Sequence, residues 1–206
     1  MRHFYFNRNF QRSAFISLLL VASFFILGLT EAQSHEGHHE HAIAKATGGD
    51  FTLASDKGAV SLSDFREKVV AIYFGYTHCE DICPLDLNKL GRALKAMKPE
   101  ELAQIQPIFI TVDPARDNAK LMSAYSATYY PGLIGLTGSE GDIAKVAKAY
   151  GVGYVKGAVN STGGYDIDHP SDIFLVNKKG KLLQSLPQRT KANQITAALR
   201  KILAKN

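Results

Sequence analysis

The chain has 206 residues, of which 46% are apolar and 21% charged, a globular composition that excludes a wholly disordered or collagen-like protein. Its formal charge is +5; outside residues 1–32, 21 basic groups face 18 acidic ones with no Lys/Arg run, which excludes a nucleic-acid footprint. Two cysteines, Cys79 and Cys83, are too few for a disulfide-stapled mini-protein or a four-cysteine zinc or iron–sulfur site.

In chain order, the first element is an export pattern. Residues 1–12 are basic, and Ser13 to Thr30 is an uncharged apolar stretch of 18 residues, with Thr30 and Ala32 as small residues at a cleavage position. At ~1.5 Å per residue such a helix spans roughly 27 Å, enough to cross a bilayer, so a cleaved signal and a retained anchor both stay open. No cysteine follows the apolar run, which argues against a lipid anchor. The basic end stays inside, placing the rest in the periplasm, free or anchored to the outer face of the inner membrane. Next, His35, His38, His39 and His41 fall within seven residues. Such a tract either binds divalent metals loosely or is a solvated linker. The expected division is therefore 1–32 for export or anchoring, 33–44 as a histidine-rich linker, and 45–206 as the folded domain.

Within that domain, Phe51–Leu53 and Ala59–Leu62 flank Ser55-Asp56-Lys57-Gly58, a hairpin signal. Val69 to Tyr76 is a continuous apolar run, expected as a central strand buried on both faces. Pro84 to Met97 reads as a helix with Leu87, Leu90, Leu94 and Met97 on one stripe, and a proline is tolerated in its first turn. Ile105–Val112 is a second buried strand, Asn118–Tyr129 a helix, Leu133–Thr137 a short strand and Glu140–Tyr150 another helix. Asp172–Asn177 and Lys181–Leu186 form a hairpin across Lys178-Lys179-Gly180. Lys191–Ala204 closes the chain as an amphipathic helix, with Ile195, Leu199 and Ile202 inward. This alternation predicts an α/β fold with a mixed central sheet and an N-terminal hairpin.

The chemistry lies where the first buried strand ends: Phe74-Gly75-Tyr76-Thr77-His78-Cys79-Glu80-Asp81-Ile82-Cys83-Pro84. A helix N-terminus favours thiolate over thiol, and a spacing of four puts both sulfurs on one face if the first turn is helical. Such a pair closes a disulfide or chelates one soft metal ion, and the spacing does not choose between them. Haem attachment is excluded, because three residues separate the cysteines and no histidine follows Cys83. Copper(I) accepts three-coordinate thiolate and imidazole ligation. The imidazole candidates are His78, expected to point away from the pair, and His169, in the polar segment Tyr165-Asp166-Ile167-Asp168-His169-Pro170-Ser171.

The order of the Phe-Gly-Tyr-Thr-His-Cys-x-x-x-Cys-Pro segment, then Thr111-Val112-Asp113-Pro114-Ala115-Arg116-Asp117, then Asp168-His169 before a strand resembles the Sco/SenC family. The resemblance covers residues 45–205 and implies a thioredoxin-like fold, a copper ion, and Cys79, Cys83 and His169 as its ligands. It also implies a copper chaperone without enzymatic turnover, which delivers copper to, or maintains the thiols of, the binuclear copper site of cytochrome c oxidase. Implied partners are the copper-bearing subunit of that oxidase, other copper carriers and thiol reductants, with membrane contact only through the N-terminal segment and a monomeric domain. The alternative is an exported thiol–disulfide oxidoreductase, with Cys79 attacking and Cys83 resolving. Two departures stand out: Glu80 where the family usually has proline, and Pro170 after the histidine. Asp168 is expected to orient the His169 ring. Asp117 is expected to cap the helix from Asn118, and Arg116 to pair with a surface carboxylate.

Overall fold

The computed structural model describes residues 46–205, so the expected export segment and the histidine-rich linker lie outside the described residues. The first hairpin is present: β1 (Thr52–Ser55) and β2 (Gly58–Ser61) pair antiparallel with Leu53 opposite Val60. Gly58 takes φ 120°, a conformation in which a side chain is strained, and its carbonyl accepts the Ser55 hydroxyl at 2.9 Å.

Five further strands make one mixed sheet. β3 (Val69–Gly75) is buried at all seven positions, as its unbroken apolar run requires. It runs parallel to β4 (Ile105–Thr111), which runs parallel to β5 (Ile134–Leu136). Two more strands, β6 (Val155–Lys156) and β7 (Ile167–Asp168), form a separate two-stranded hairpin. On the other side of β3 lie β8 (Ile173–Val176) and then β9 (Leu182–Leu186), both antiparallel to their neighbours. The order is β5-β4-β3-β8-β9, with Ala54 bridged to Thr137 to seat the N-terminal hairpin at the end of β5.

The helices are α1 (Ile82–Lys95), α2 (Pro99–Leu102), α3 (Ala119–Tyr129), α4 (Glu140–Ala149) and α5 (Ala192–Leu203). Leu87, Leu90 and Leu94 are buried along α1, and Ile195, Leu199 and Ile202 along α5, matching the 3.6-residue stripes. Thr196 on α5 donates to the Ala93 carbonyl of α1 at 2.9 Å. The period-two alternation of β3 sends Tyr73 toward α1, where its hydroxyl meets Asp86, and Phe74 toward Tyr150 at the end of α4, ring centroids 5.8 Å apart. Phe74, Tyr150 and Phe174 close a three-ring core on that face.

Two local expectations change. Helix α1 starts at Ile82 rather than Pro84, which is harmless because the third helical residue still has no intrahelical acceptor for an N–H. Asp117 does not cap α3: Asn118 does, its side chain accepting the Leu121 N–H at 3.0 Å, while Asp117 is fully buried.

Candidate metal centre

The site forms where β3 hands over to α1. Cys83 lies in the first turn of α1 and is fully buried, its sulfur over Gly75, whose other near neighbours are the Tyr73 and Phe109 rings. A methyl group on Gly75 would come within 2.8 Å of that sulfur, so the glycine of the motif is there for space. Cys79 is half-buried in the loop before the helix, so the two sulfurs do not share one helical face. Instead the Cys83 N–H points at the Cys79 sulfur, at 3.4 Å. Both cysteines are free thiols.

His169 arrives from the opposite side, on the segment between β7 and β8. Its Nε2 stands 3.6 Å from the Cys83 sulfur. Its Nδ1 is 2.9 Å from the Pro170 carbonyl, an acceptor only, so Nδ1 carries the proton and Nε2 offers its lone pair to the sulfur side. The partner that orients the ring is therefore this backbone oxygen rather than Asp168, whose influence is through charge. The ring packs edge-on against Tyr73 and Tyr76, centroids 6.5 and 6.0 Å away. Burial lowers its pKa below the ordinary histidine value, against the raising effect of the Pro170 carbonyl, Asp168 and Asp86. The imidazole is thus neutral and free to ligate at neutral pH.

The thiols are less simple than the helix N-terminus suggests. Burial pushes the Cys83 thiol up to about 12, although the Tyr76 N–H and the Tyr73 hydroxyl favour its thiolate. Desolvation is the largest influence on Cys83 and acts against the ready thiolate expected from the helix N-terminus.

His78 turns to Thr77 and Asp117. It is nearly half exposed, with Nδ1 3.1 Å from the Thr77 hydroxyl and 3.5 Å from Asp117. A cleft of about 330 Å³ opens over Cys79 and His169 and is lined by Glu80, Asp81, Asp166 and Asp168, a setting that favours a cation. Cys83 and His169 are brought together and Cys79 adjoins them. Among the described residues, however, no three His, Cys, Asp or Glu side chains are already arranged to hold one metal ion.

Several residues that shape the site escape sequence reasoning. Tyr73 donates to Asp86 at 3.2 Å, and that buried carboxylate pairs with Lys89 at 2.7 Å beneath the site. Burial raises the Asp86 pKa, which Lys89 and Tyr73 oppose. The Tyr76 hydroxyl accepts the Ile167 N–H at 3.1 Å, tying the cysteine segment to the strand before His169. Arg116 pairs with the buried Asp113, not with a surface carboxylate. The one available signal was a carboxylate at each end of a short turn that directly follows a buried strand.

Three comparisons with known proteins agree. The model of the SCO1/SenC family matches residues 39–204. The mitochondrial protein SCO2 homolog of Bos taurus is 40% identical over 158 residues, which are 76% of this chain and 59% of that protein. The chain thus spans less than two thirds of that relative. The crystal structure of Arabidopsis thaliana ScoI with copper bound is 33% identical with a TM-score of 0.72, over 77% of this chain and 99% of that one. The structure of Bradyrhizobium japonicum ScoI with copper bound is 34% identical with a TM-score of 0.69, over 76% and 99%.

Proposed function

Since this chain belongs to the SCO1/SenC family, we propose that Cys79, Cys83 and His169 hold one copper ion as cargo for the binuclear copper site of cytochrome c oxidase. The observation that carries this reading is the 3.6 Å approach of His169 Nε2 to the Cys83 sulfur, with Nδ1 already engaged by the Pro170 carbonyl. One soft thiolate and one neutral imidazole suit copper in either common oxidation state. Cys79 completes the set when its sulfur leaves the Cys83 N–H and turns toward the same point. The copper-bound relatives support the identity of the ion.

Binding requires Cys83 to lose its proton, and burial opposes that loss. Copper therefore replaces a proton, and apparent affinity rises with pH through the neutral range. The chain is a carrier rather than an enzyme with turnover, and the domain acts as a monomer. Its partners are the copper-bearing subunit of the oxidase, other copper carriers and thiol reductants.

The arrangement also favours a second reading. Cys79 is the more accessible thiol and Cys83 the buried one behind it, the order needed for attack and resolution. In that exchange a partner disulfide is reduced to two thiols while the Cys79–Cys83 disulfide forms, and its two thiol protons pass to the partner sulfurs.

Residues 1–32 direct export and either leave the chain or anchor it, 33–44 are a linker, and 45–206 are the copper domain on the periplasmic side. The basic start and the 18-residue apolar stretch support this. Among the described residues no helix is long and apolar enough to cross a membrane.

The test uses the reduced chain lacking residues 1–41, which removes the histidine tract. One copper per chain and a thiolate-to-copper(II) charge-transfer band are expected. His169→Ala should weaken copper(II) binding strongly, and oxidation of the cysteines should abolish binding. No binding, or equal binding without His169, would leave disulfide exchange as the better account.

A further inference from the structure

The cysteine loop and the histidine hairpin leave the same end of the sheet, yet no ladder joins them there. The β3–β8 pairing stops at Tyr73 opposite Ile173, whereas the β3–β4 pairing continues to Gly75 opposite Thr111. The Val112 N–H then still bonds the Gly75 carbonyl at 2.7 Å. The turn after β4, Asp113-Pro114-Ala115-Arg116-Asp117, is thus fixed at the point where the cysteine loop departs.

Its two carboxylates reach in different directions. Asp117, fully buried, accepts the Thr77 N–H at 2.9 Å, the Thr77 hydroxyl at 2.5 Å and the Thr111 hydroxyl at 2.7 Å. Thr77 lies two residues before Cys79. Asp113, 3% exposed, accepts the Tyr165 hydroxyl at 2.8 Å and pairs with Arg116. Arg116 in turn donates to the Tyr165 carbonyl at 2.9 Å and lies 3.6 Å from the centre of the Tyr165 ring. Tyr165 lies four residues before His169.

We propose that this turn is a two-armed positioning element: Asp117 sets the cysteine loop through Thr77, and Asp113 with Arg116 sets His169 through Tyr165. None of these side chains touches the sulfurs or the imidazole, so each is a positioning residue and not a ligand. The functional meaning rests on reading Cys79, Cys83 and His169 as one site. A purely structural turn would transmit damage to both halves alike, whereas two arms give each half its own response.

The test compares Tyr165→Phe and Thr77→Val in the full, metal-free chain. Tyr165→Phe keeps the ring and removes one hydrogen bond; Thr77→Val keeps the shape and removes the hydroxyl's contacts with Asp117 and His78 while its N–H bond to Asp117 stays. The readouts are the His169 imidazole nitrogen resonances and the Cys79–Cys83 dithiol–disulfide equilibrium against the glutathione couple. Tyr165→Phe should move the nitrogen resonances and leave the equilibrium within about twofold. Thr77→Val should shift the equilibrium about threefold to tenfold toward disulfide, since its bond is made in the dithiol form, and leave the imidazole in place. Thr77→Ser should restore it. Variants that lower the melting temperature with both readouts unmoved, or that move both readouts alike, would overturn the proposal. A wild-type chain that binds no copper would instead sink the carrier reading and leave these metal-free readouts to stand or fall by themselves.

Discussion

The two halves of the site are built by different means. The cysteine junction grows out of the core: β3 is buried along its whole length, and Cys83 sits at the base of a helix whose inner stripe is buried. The histidine hairpin has two strands of two residues each, and both residues of β6 are exposed. Besides Ile167, which reaches the core, what holds it is a set of side-chain bonds from Tyr76, Asp113 and Arg116, with two cations stacked on Tyr165. One half is thus specified by apolar packing, which is cooperative with the whole fold. The other is specified by a few polar contacts, which open locally at low cost. A site with one rigid and one adjustable half can keep the Cys83 sulfur fixed while the imidazole side adjusts.

The rigid half is most sensitive at its tightest point, Gly75. Gly75→Ala brings a methyl group to 2.8 Å from the Cys83 sulfur, 2.9 Å from the Tyr73 ring and 3.1 Å from the Phe109 ring. Two of these neighbours are buried aromatics and cannot give way cheaply. Overpacking of this kind costs about 1–3 kcal/mol. Denaturant unfolding should show that loss, and copper binding should fall with it because the sulfur is displaced. Unchanged stability together with unchanged copper affinity would show that the junction yields as easily as the hairpin.

A smaller effect follows from the burial of the same sulfur. Folding raises the Cys83 pKa to about 12, so the unfolded chain loses this proton at lower pH than the native one. The stabilising contribution is complete below the ordinary thiol value and is lost as pH rises toward about 12. Buried tyrosines such as Tyr73 and Tyr150 are shifted upward too and add to the alkaline loss. The difference between wild type and Cys83→Ala isolates the cysteine: the variant's stability should fall less steeply across that alkaline window. Parallel curves would mean that the thiol is better solvated than its burial implies.

The same contrast decides what could be read in the sequence. The apolar run from Val69 to Tyr76 and the leucine stripe of α1 announce themselves by periodicity, because burial on a strand or a helix repeats. Gly75 and Cys83 follow from that frame. The hairpin of β6 and β7 has no period to detect in two-residue strands, and Val155 and Lys156 are exposed. Asp113 and Asp117 look like surface residues approaching a helix, since nothing in local sequence says that Tyr165 and Thr77 will bury them. The Cys83 thiol is misread for a related reason: the helix N-terminus is visible in the sequence, while the desolvation that opposes a thiolate depends on tertiary packing. His169 itself becomes legible only through the family resemblance.

The smallest expected effect tests the polar half directly. Lys156 lies on the exposed strand β6 with its Nζ 3.6 Å from the centre of the Tyr165 ring, and Arg116 is also 3.6 Å from that centre. Such an exposed cation–π contact is worth about 0.5–1 kcal/mol. Lys156→Gln removes it but leaves Arg116 and the Tyr165 hydroxyl bond to Asp113 in place. If the hairpin opens on its own, the cost falls on local opening and not on global unfolding. The melting temperature should then move by less than about 2 °C. The backbone N–H groups of Gly157 and Ile167, which bond Asp166 and Tyr76, should exchange with solvent roughly twofold to fivefold faster. Exchange at Ile72 in the middle of β3 should not change, because that strand opens only with the whole domain. If the Ile72 amide accelerates together with Ile167, the hairpin is part of the core's cooperative unit, and the two halves of the site differ in appearance only.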